Sequence, residues 1–291
     1  MRSDLTTVGM PGAMGGTMGT DSTHALPPAA PRADRLVDQI RVVGRVVTAL
    51  VLRETKTRFG KNRFGYIFAL IEPLAFVAVF VVIRAAISTS TPFGESIVLF
   101  VISGLLIYRV FLAISGRLSS AITANKALLT YPPVKPTDVL FARFLLELLT
   151  MYAVVGIVFF GLSLTAEREI LIDVPNFAAA LVATTALSAG IGVFNAIALI
   201  LVPIWGLIYP MLRLPLLLTS GVFYVPLALP PFAQDILWWN PILHCVEWTR
   251  TGTYLTYEPM LDKWYPLTVA AVALVAGLGL ERLYRFKVLN A

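Results

Sequence analysis

Few residues in this chain combine a type and a spacing that could do chemistry. His244 and Glu247 stand three apart, close enough to share one face of a helix, and would suit either an acid–base pair or a metal ion. Catalytic zinc needs three protein ligands and an open position, and no third ligand stands nearby, so a hydrogen-bonded pair is the expectation and no metal site is assigned. His24 lies far away in an N-terminal stretch. The single cysteine, Cys245, excludes an intrachain disulfide and any multi-thiolate site. No residue is assigned a catalytic role. A second set is electrostatic. Arg84 and Arg109 fall within apolar runs, where a charge costs about 2.5–3.5 kcal/mol on insertion scales unless it meets water or a partner; Arg109 is expected to face a cavity. Ahead of the apolar run 67–83 stand Arg53, Lys56, Arg58, Lys61 and Arg63, a basic helix suited to a membrane surface rich in anionic headgroups.

The elements that hold these residues follow from hydropathy. With 57% hydrophobic and 14% charged residues and a mean hydropathy of +0.79, the chain is all-α and polytopic, since a soluble protein of this length needs far more polar surface. The net charge of +6 does not point to nucleic acid, because the cations flank apolar spans. A window of about 19 residues marks spans near 66–88, 96–116, 138–164, 177–202, 206–227 and 265–283, each sized for a hydrocarbon core of about 30 Å. Lys and Arg concentrate before the first span, between the second and third, and after the last, which predicts both termini in the cytoplasm. Residues 1–33 lack a continuous apolar core behind a charged start and read as a disordered cytosolic tail. Residues 34–65 carry an apolar stripe, Leu36, Ile40, Val43, Val47 and Leu50, and predict an interfacial amphipathic helix; 284–291 form a second cytosolic tail.

Two connections exceed simple turns. The cytosolic stretch 117–137 holds a short helix near 121–130 and then Pro132, Pro133 and Pro136, which stop helix propagation. The external stretch 228–264 alternates prolines and aromatics with runs too short to cross, predicting re-entrant or interfacial helices. Within the spans, Glu72-Pro73 predicts a kink whose acid pairs with Lys61, Arg63 or a neighbouring helix, and Arg143 and Glu147, four apart, predict either an intrahelical pair or a substrate contact.

Four segments in order, Arg53-Glu54 through Arg58-Phe59-Gly60-Lys61, Gly65-Tyr66 through Glu72-Pro73, Asn125 through Pro133-Val134-Lys135-Pro136, and Trp239-Asn240-Pro241 through Glu247, resemble the permease subunits of type 2 ATP-binding-cassette exporters, in the capsular polysaccharide branch. The resemblance covers most of 45–285. It implies a homodimer in the bacterial inner membrane, paired with two ATP-binding-cassette subunits that bind the ATP and magnesium. It further implies a lipid-linked acidic polysaccharide as cargo, and periplasmic co-export and outer-membrane export proteins beyond. No cofactor and no enzymatic activity are expected of the chain itself: its only Gly-Lys, Gly60-Lys61, precedes Asn62 and lacks the upstream glycine of a phosphate loop, so ATP hydrolysis is expected from the partner subunit. Coupling to the ATPase is expected at Arg53, Glu54, Arg58, Asn125, Lys126, Leu128, Leu129 and Tyr131. An external gate is expected at Asn240, His244, Glu247 and Arg250. Sugar C–H faces are held weakly by aromatic rings, so the channel is expected to draw on Tyr108, Phe111, Tyr209, Phe223, Tyr224, Trp238 and Trp239 beside Arg84 and Arg109. O-antigen and teichoic acid permeases share the architecture, a polytopic enzyme acting on lipid-linked sugars would need clustered acids absent from the spans, and a secondary transporter would show internal repeats not found here.

Overall fold

The computed structural model describes residues 44–45, 48–55, 64–87, 91–94, 96–129, 134–165, 170 and 173–290, apart from the side chains of 64–70, 84–85, 165 and 288–290. These residues belong to the larger of two units into which the chain divides, Arg41–Ala291. The expected tail 1–33, most of the interfacial helix 34–65, Arg58, Tyr131 and the Arg84 side chain lie outside them.

The described residues are predominantly helical and contain no strand. The principal helices are α1 (Phe64–Ile87), α2 (Ile97–Ser119), the short α3 (Ala121–Ala124), α4 (Pro136–Thr165), α5 (Val174–Leu201), α6 (Trp205–Leu218), α7 (Pro231–Trp238), α8 (Pro241–Thr253), α9 (Trp264–Leu283) and α10 (Arg285–Asn290). Four, namely α2, α4, α5 and α9, are long and apolar enough to cross a membrane. At 24 residues and 1.5 Å per residue, α1 has the length to do so as well, about 36 Å.

The expected fifth span, 206–227, is not one helix. Its helix α6 has 14 residues, about 21 Å, and stops short of a hydrocarbon core of about 30 Å. Pro210 and Pro215 each remove a backbone donor, and Gly221 at φ 68° turns the chain through a left-handed conformation that glycine alone adopts without strain. The six-segment reading was drawn from hydropathy, which registers the apolar turn 219–227 as continuous helix.

The core is built on α2 and α5, which pack against each other and against α8, with α9 lying along α5 and α4 and α1 along α2. Apolar attraction between helices is weak in lipid, so close backbone approach carries the packing. A Cβ on Gly190 would lie 2.3 Å from the Ala270 carbonyl oxygen of α9, one on Gly277 would lie 2.8 Å from the Phe194 nitrogen of α5, and one on Gly192 would lie 2.7 Å from Leu118 Cβ of α2. Helix α8, within the stretch expected to be external, has Ile242 through Arg250 buried in sequence. It runs beside α5, with Gly252 against Phe177 and Trp248 Nε1 donating to Asn176 Oδ1 at 3.3 Å.

Replacing Gly190 by leucine drives a side chain into the backbone of α9, and is expected to destabilise the detergent-solubilised protein by about 1–3 kcal/mol or more. Thermal unfolding monitored by circular dichroism measures this; a melting temperature equal to wild type would show that α5 and α9 can separate freely.

Candidate functional site

The bundle has two chemically distinct ends. At one, α8 starts at the expected Asn240-Pro241: Asn240 Oδ1 accepts from the Ile242 amide at 3.0 Å, and Pro241 occupies the first turn, where a missing N–H costs nothing. The amide of the same Asn240 donates to the Leu216 carbonyl at 3.2 Å and to Thr219 Oγ1 at 2.9 Å, tying the start of α8 to the end of α6.

One turn into α8, His244 and Glu247 do not bond each other. The Asp262 amide donates to His244 Nδ1 at 3.0 Å, so the ring proton is on Nε2, which donates to the Trp238 carbonyl at 2.8 Å. Burial lowers the His244 pKa below its ordinary 6.5, because a charged ring would have to shed water and would press an Nδ1 proton against the Asp262 N–H. Glu247 instead takes Arg250 as partner at 3.0 Å, with Tyr257 Oη donating at 2.7 Å and the Met260 amide at 3.0 Å. Burial raises the carboxyl pKa, and these three donors oppose the rise. Arg250 is 0% exposed. Its remaining contacts are the Val222 carbonyl at 3.0 Å, the Tyr224 carbonyl at 3.4 Å, Tyr257 Oη at 3.3 Å and the Phe100 ring, 3.9 Å from its centroid. One cation thus gathers α2, the turn after α6, α8 and the loop at 257. Among the described residues no group of three His, Cys, Asp or Glu could hold a metal.

At the other end, the helical residues 48–55 meet the connection between α2 and α4. Arg53 Nη1 donates to Asn125 Oδ1 at 3.0 Å, Asn125 Nδ2 donates to the Ala121 carbonyl at 3.0 Å, and Glu54 forms an ion pair with Arg143 of α4. Asn125 breaks the expected helix 121–130 into α3 and a 3-10 turn, Lys126–Leu128. Lys126 is exposed and Leu129 is buried, so the expected coupling residues split into a surface and an anchor. The nearer ion-pair partners of Arg143 and Glu147 lie on other elements: Glu147 is 3.7 Å from Arg117 of α2, and Arg143 turns to Glu54. Ion pairs between elements win here because each also ties two elements together.

Above this end opens a cavity of about 300 Å³ among α1, α2, α4 and α6, lined by Glu72, Arg109, Arg117, Glu147 and Arg213 with Ser120 and Thr150. Arg109 faces it as expected, and pairs with Glu72 of α1 at 2.8 Å while its guanidinium lies 4.7 Å from the centroid of Phe76. Arg117 and Arg213 were missed. Arg213 carries the signal that singled out Arg109, a lone cation in an apolar run, here between Pro210 and Pro215.

The expected channel aromatics are dispersed. Phe111 is buried in the core and Tyr108 is buried with its hydroxyl donating to the Arg213 carbonyl at 2.5 Å. Tyr209 bonds Ser115 Oγ at 3.1 Å, and Phe223 stacks on Phe80 at 5.7 Å between centroids. Tyr224 Oη donates to the Leu218 carbonyl at 2.7 Å. Trp238 packs edge-on against Trp239 and His244, leaving Trp239 70% exposed.

The model of the ABC-2 type transporter family matches residues 45–254. The chain is 33% identical over 242 residues to the polysialic acid transport protein KpsM of Escherichia coli, covering 81% of this chain and 92% of that protein. It is 27% identical over 247 residues to the capsule polysaccharide export inner-membrane protein CtrC of Neisseria meningitidis, covering 83% and 92%. Over 227 residues it is 29% identical to the corresponding protein BexB of Haemophilus influenzae, covering 75% and 84%.

Arg250→Leu strands the Glu247 charge in the interior and is expected to cost about 3–5 kcal/mol; the double change Arg250→Leu, Glu247→Leu should recover much of it, a comparison read by denaturant unfolding. His244 is neutral in the folded protein, so its contribution is complete above pH 6.5 and is lost as the pH falls below that value towards its lower folded pKa. Unfolding temperatures of wild type and His244→Gln across pH 5–8 should converge at the acid end.

Proposed function

Because the chain belongs to the ABC-2 type transporter family, we propose that it is the membrane permease of an ATP-driven exporter carrying lipid-linked acidic capsular polysaccharide across the bacterial inner membrane. The observation that carries this reading is the match along most of both lengths to capsule export inner-membrane proteins of two organisms and to a polysialic acid transport protein of a third.

The geometry supports a division of labour. A permease that borrows energy needs a stiff element to receive a push and a path by which the push reaches the spans. Residues 48–55, Asn125 and Arg143 form such a path: the Arg53–Asn125 bond and the Glu54–Arg143 pair join the basic helix, the connection and α4. We place the two ATP-binding-cassette subunits, with their ATP and magnesium, against this end, which puts it and both termini in the cytoplasm in keeping with the Lys and Arg distribution. A second copy of the chain completes the passage. The aromatic end, pinned by Asn240 and Arg250, is then the periplasmic gate, delivering polymer to periplasmic co-export and outer-membrane proteins.

The permease purified alone is expected to hydrolyse no ATP. Together with its ATP-binding subunit in proteoliposomes, it should turn over ATP and translocate labelled glycolipid; polymer transport without that subunit would overturn the proposal. At the proposed contact surface, Lys126→Glu is expected to lower the complex's ATP turnover several-fold, the effect of reversing one interfacial charge; turnover equal to wild type would show that Lys126 is not at the contact.

A further inference from the structure

The block around Arg250 is covered by a segment that belongs to none of its helices. Between α1 and α2 the described residues Thr91-Pro92-Phe93-Gly94 form a tight bend, with Thr91 Oγ1 donating to the Gly94 carbonyl at 2.5 Å. Pro92 fixes the backbone ahead of Phe93, and Gly94 follows at φ 71°, a conformation that costs glycine nothing. A Cβ on Gly94 would lie 2.7 Å from Tyr254 Cε1, so the backbone of the bend rests directly on the Tyr254 ring. Phe93 stands edge-on to Tyr254 at 5.4 Å and 86° and to Tyr257 at 5.0 Å and 87°, the arrangement in which the positive rim of one ring meets the negative face of another.

What the bend covers is the buried ion pair. Tyr257 Oη donates to Glu247 at 2.7 Å and accepts from Arg250 Nη1 at 3.3 Å, and the Tyr254 amide donates to the Arg250 carbonyl at 2.9 Å where α8 ends. Arg250 Nε and Tyr254 Oη are buried there without a partner. A pair buried this completely holds its charges together only while water is kept away, and unmet polar groups are where a first water would settle. The bend is also tied to the long helices. It follows α1, which ends at Ile87, and α2 begins three residues beyond it at Ile97, capped by Ser96 Oγ; further along, the same two helices share the Glu72–Arg109 pair. Resting on the export reading above, we infer that the bend 91–94 is a strap over α8: Phe93, seated between the two tyrosines, seals the Glu247–Arg250 pair, and the strap lifts when ATP turnover displaces α1 and α2. Lifting admits water to the pair and frees α8 from the loop at 257. Phe93 acts through Tyr254 and Tyr257 and is a positioning residue.

The test uses the permease with its ATP-binding subunit in lipid nanodiscs, read by hydrogen–deuterium exchange, and in proteoliposomes, read by photo-crosslinking and polymer transport. Phe93→Ala removes both edge contacts and should speed amide exchange across 247–257 about tenfold, the worth of two aromatic pairs, while exchange in α4 stays at the wild-type rate. Phe93→Leu, which keeps apolar bulk, should speed it less. No acceleration at 247–257, or an acceleration that α4 shares equally, would overturn the strap. A second arm leaves the aromatic contact in place. p-Benzoylphenylalanine placed at Phe93 should cross-link to 254–257 without nucleotide and lose most of that yield during ATP turnover; a yield that ATP leaves unchanged would overturn the lifting. The strap and the exporter fail separately. If the yield falls with ATP while no polymer moves, the exporter falls and the strap stands; if polymer moves while the yield holds, the strap falls and the exporter stands.

Discussion

A charge inside a bundle of apolar helices must find a counter-charge or a set of dipoles, because hydrocarbon supplies neither. Most of the architecture follows from how this chain meets that demand. Arg109 reaches from α2 to Glu72 on α1, Arg117 from α2 towards Glu147 on α4, and Arg143 from α4 to Glu54 in the helix that precedes the first span. Each pair crosses between elements, so satisfying the charge also sets how the elements stand against one another. Arg250 meets the same demand within a single turn of α8, through Glu247, and extends outward to two carbonyls and two rings.

The two ends answer the constraint differently, a contrast on which the proposed driven end and gate rest. Around Arg250 most donors are matched, its own Nε and the Tyr254 hydroxyl being the exceptions, and water is excluded, which makes a rigid block out of α8, the turn after α6 and the loop at 257. Around Arg109, Arg117 and Arg213 the matching is incomplete and the cavity is open, so the charges can exchange partners. Glycines at 190, 192 and 277 hold the interior of the bundle between these ends, bringing α5 against α9 and α2 at backbone distance. On the proposed export reading, a push received at Asn125 would meet ion pairs that can yield before it reached packing that cannot.

How much was legible beforehand depended on whether a feature is local. Spans α2, α4, α5 and α9 lie within three residues of the hydropathy segments, since burial of a continuous apolar run needs no knowledge of its neighbours. The Asn240-Pro241 start of α8 was visible as a motif, and its capping geometry explains it. Hydropathy failed at α6, where an apolar turn imitates helix, and underrated α8, whose His244, Glu247 and Arg250 look like surface residues until their partners are known. Arg143 and Glu147 show the same limit: spacing along a helix identifies residues that can meet, and competing partners on other elements, Glu54 and Arg117, take the closer contacts.

Alone, the order of amino acids determined that this chain lives in a bilayer, where its long helices fall, which end is basic and to which family it belongs, because composition, periodicity and motif are properties of neighbours in the chain. Only the tertiary structure decided that Arg213 shares a cavity with Arg109, that Glu54 claims Arg143, and that α8 lies buried along α5. Those facts depend on distances between residues tens to more than a hundred positions apart, which a linear pattern does not contain.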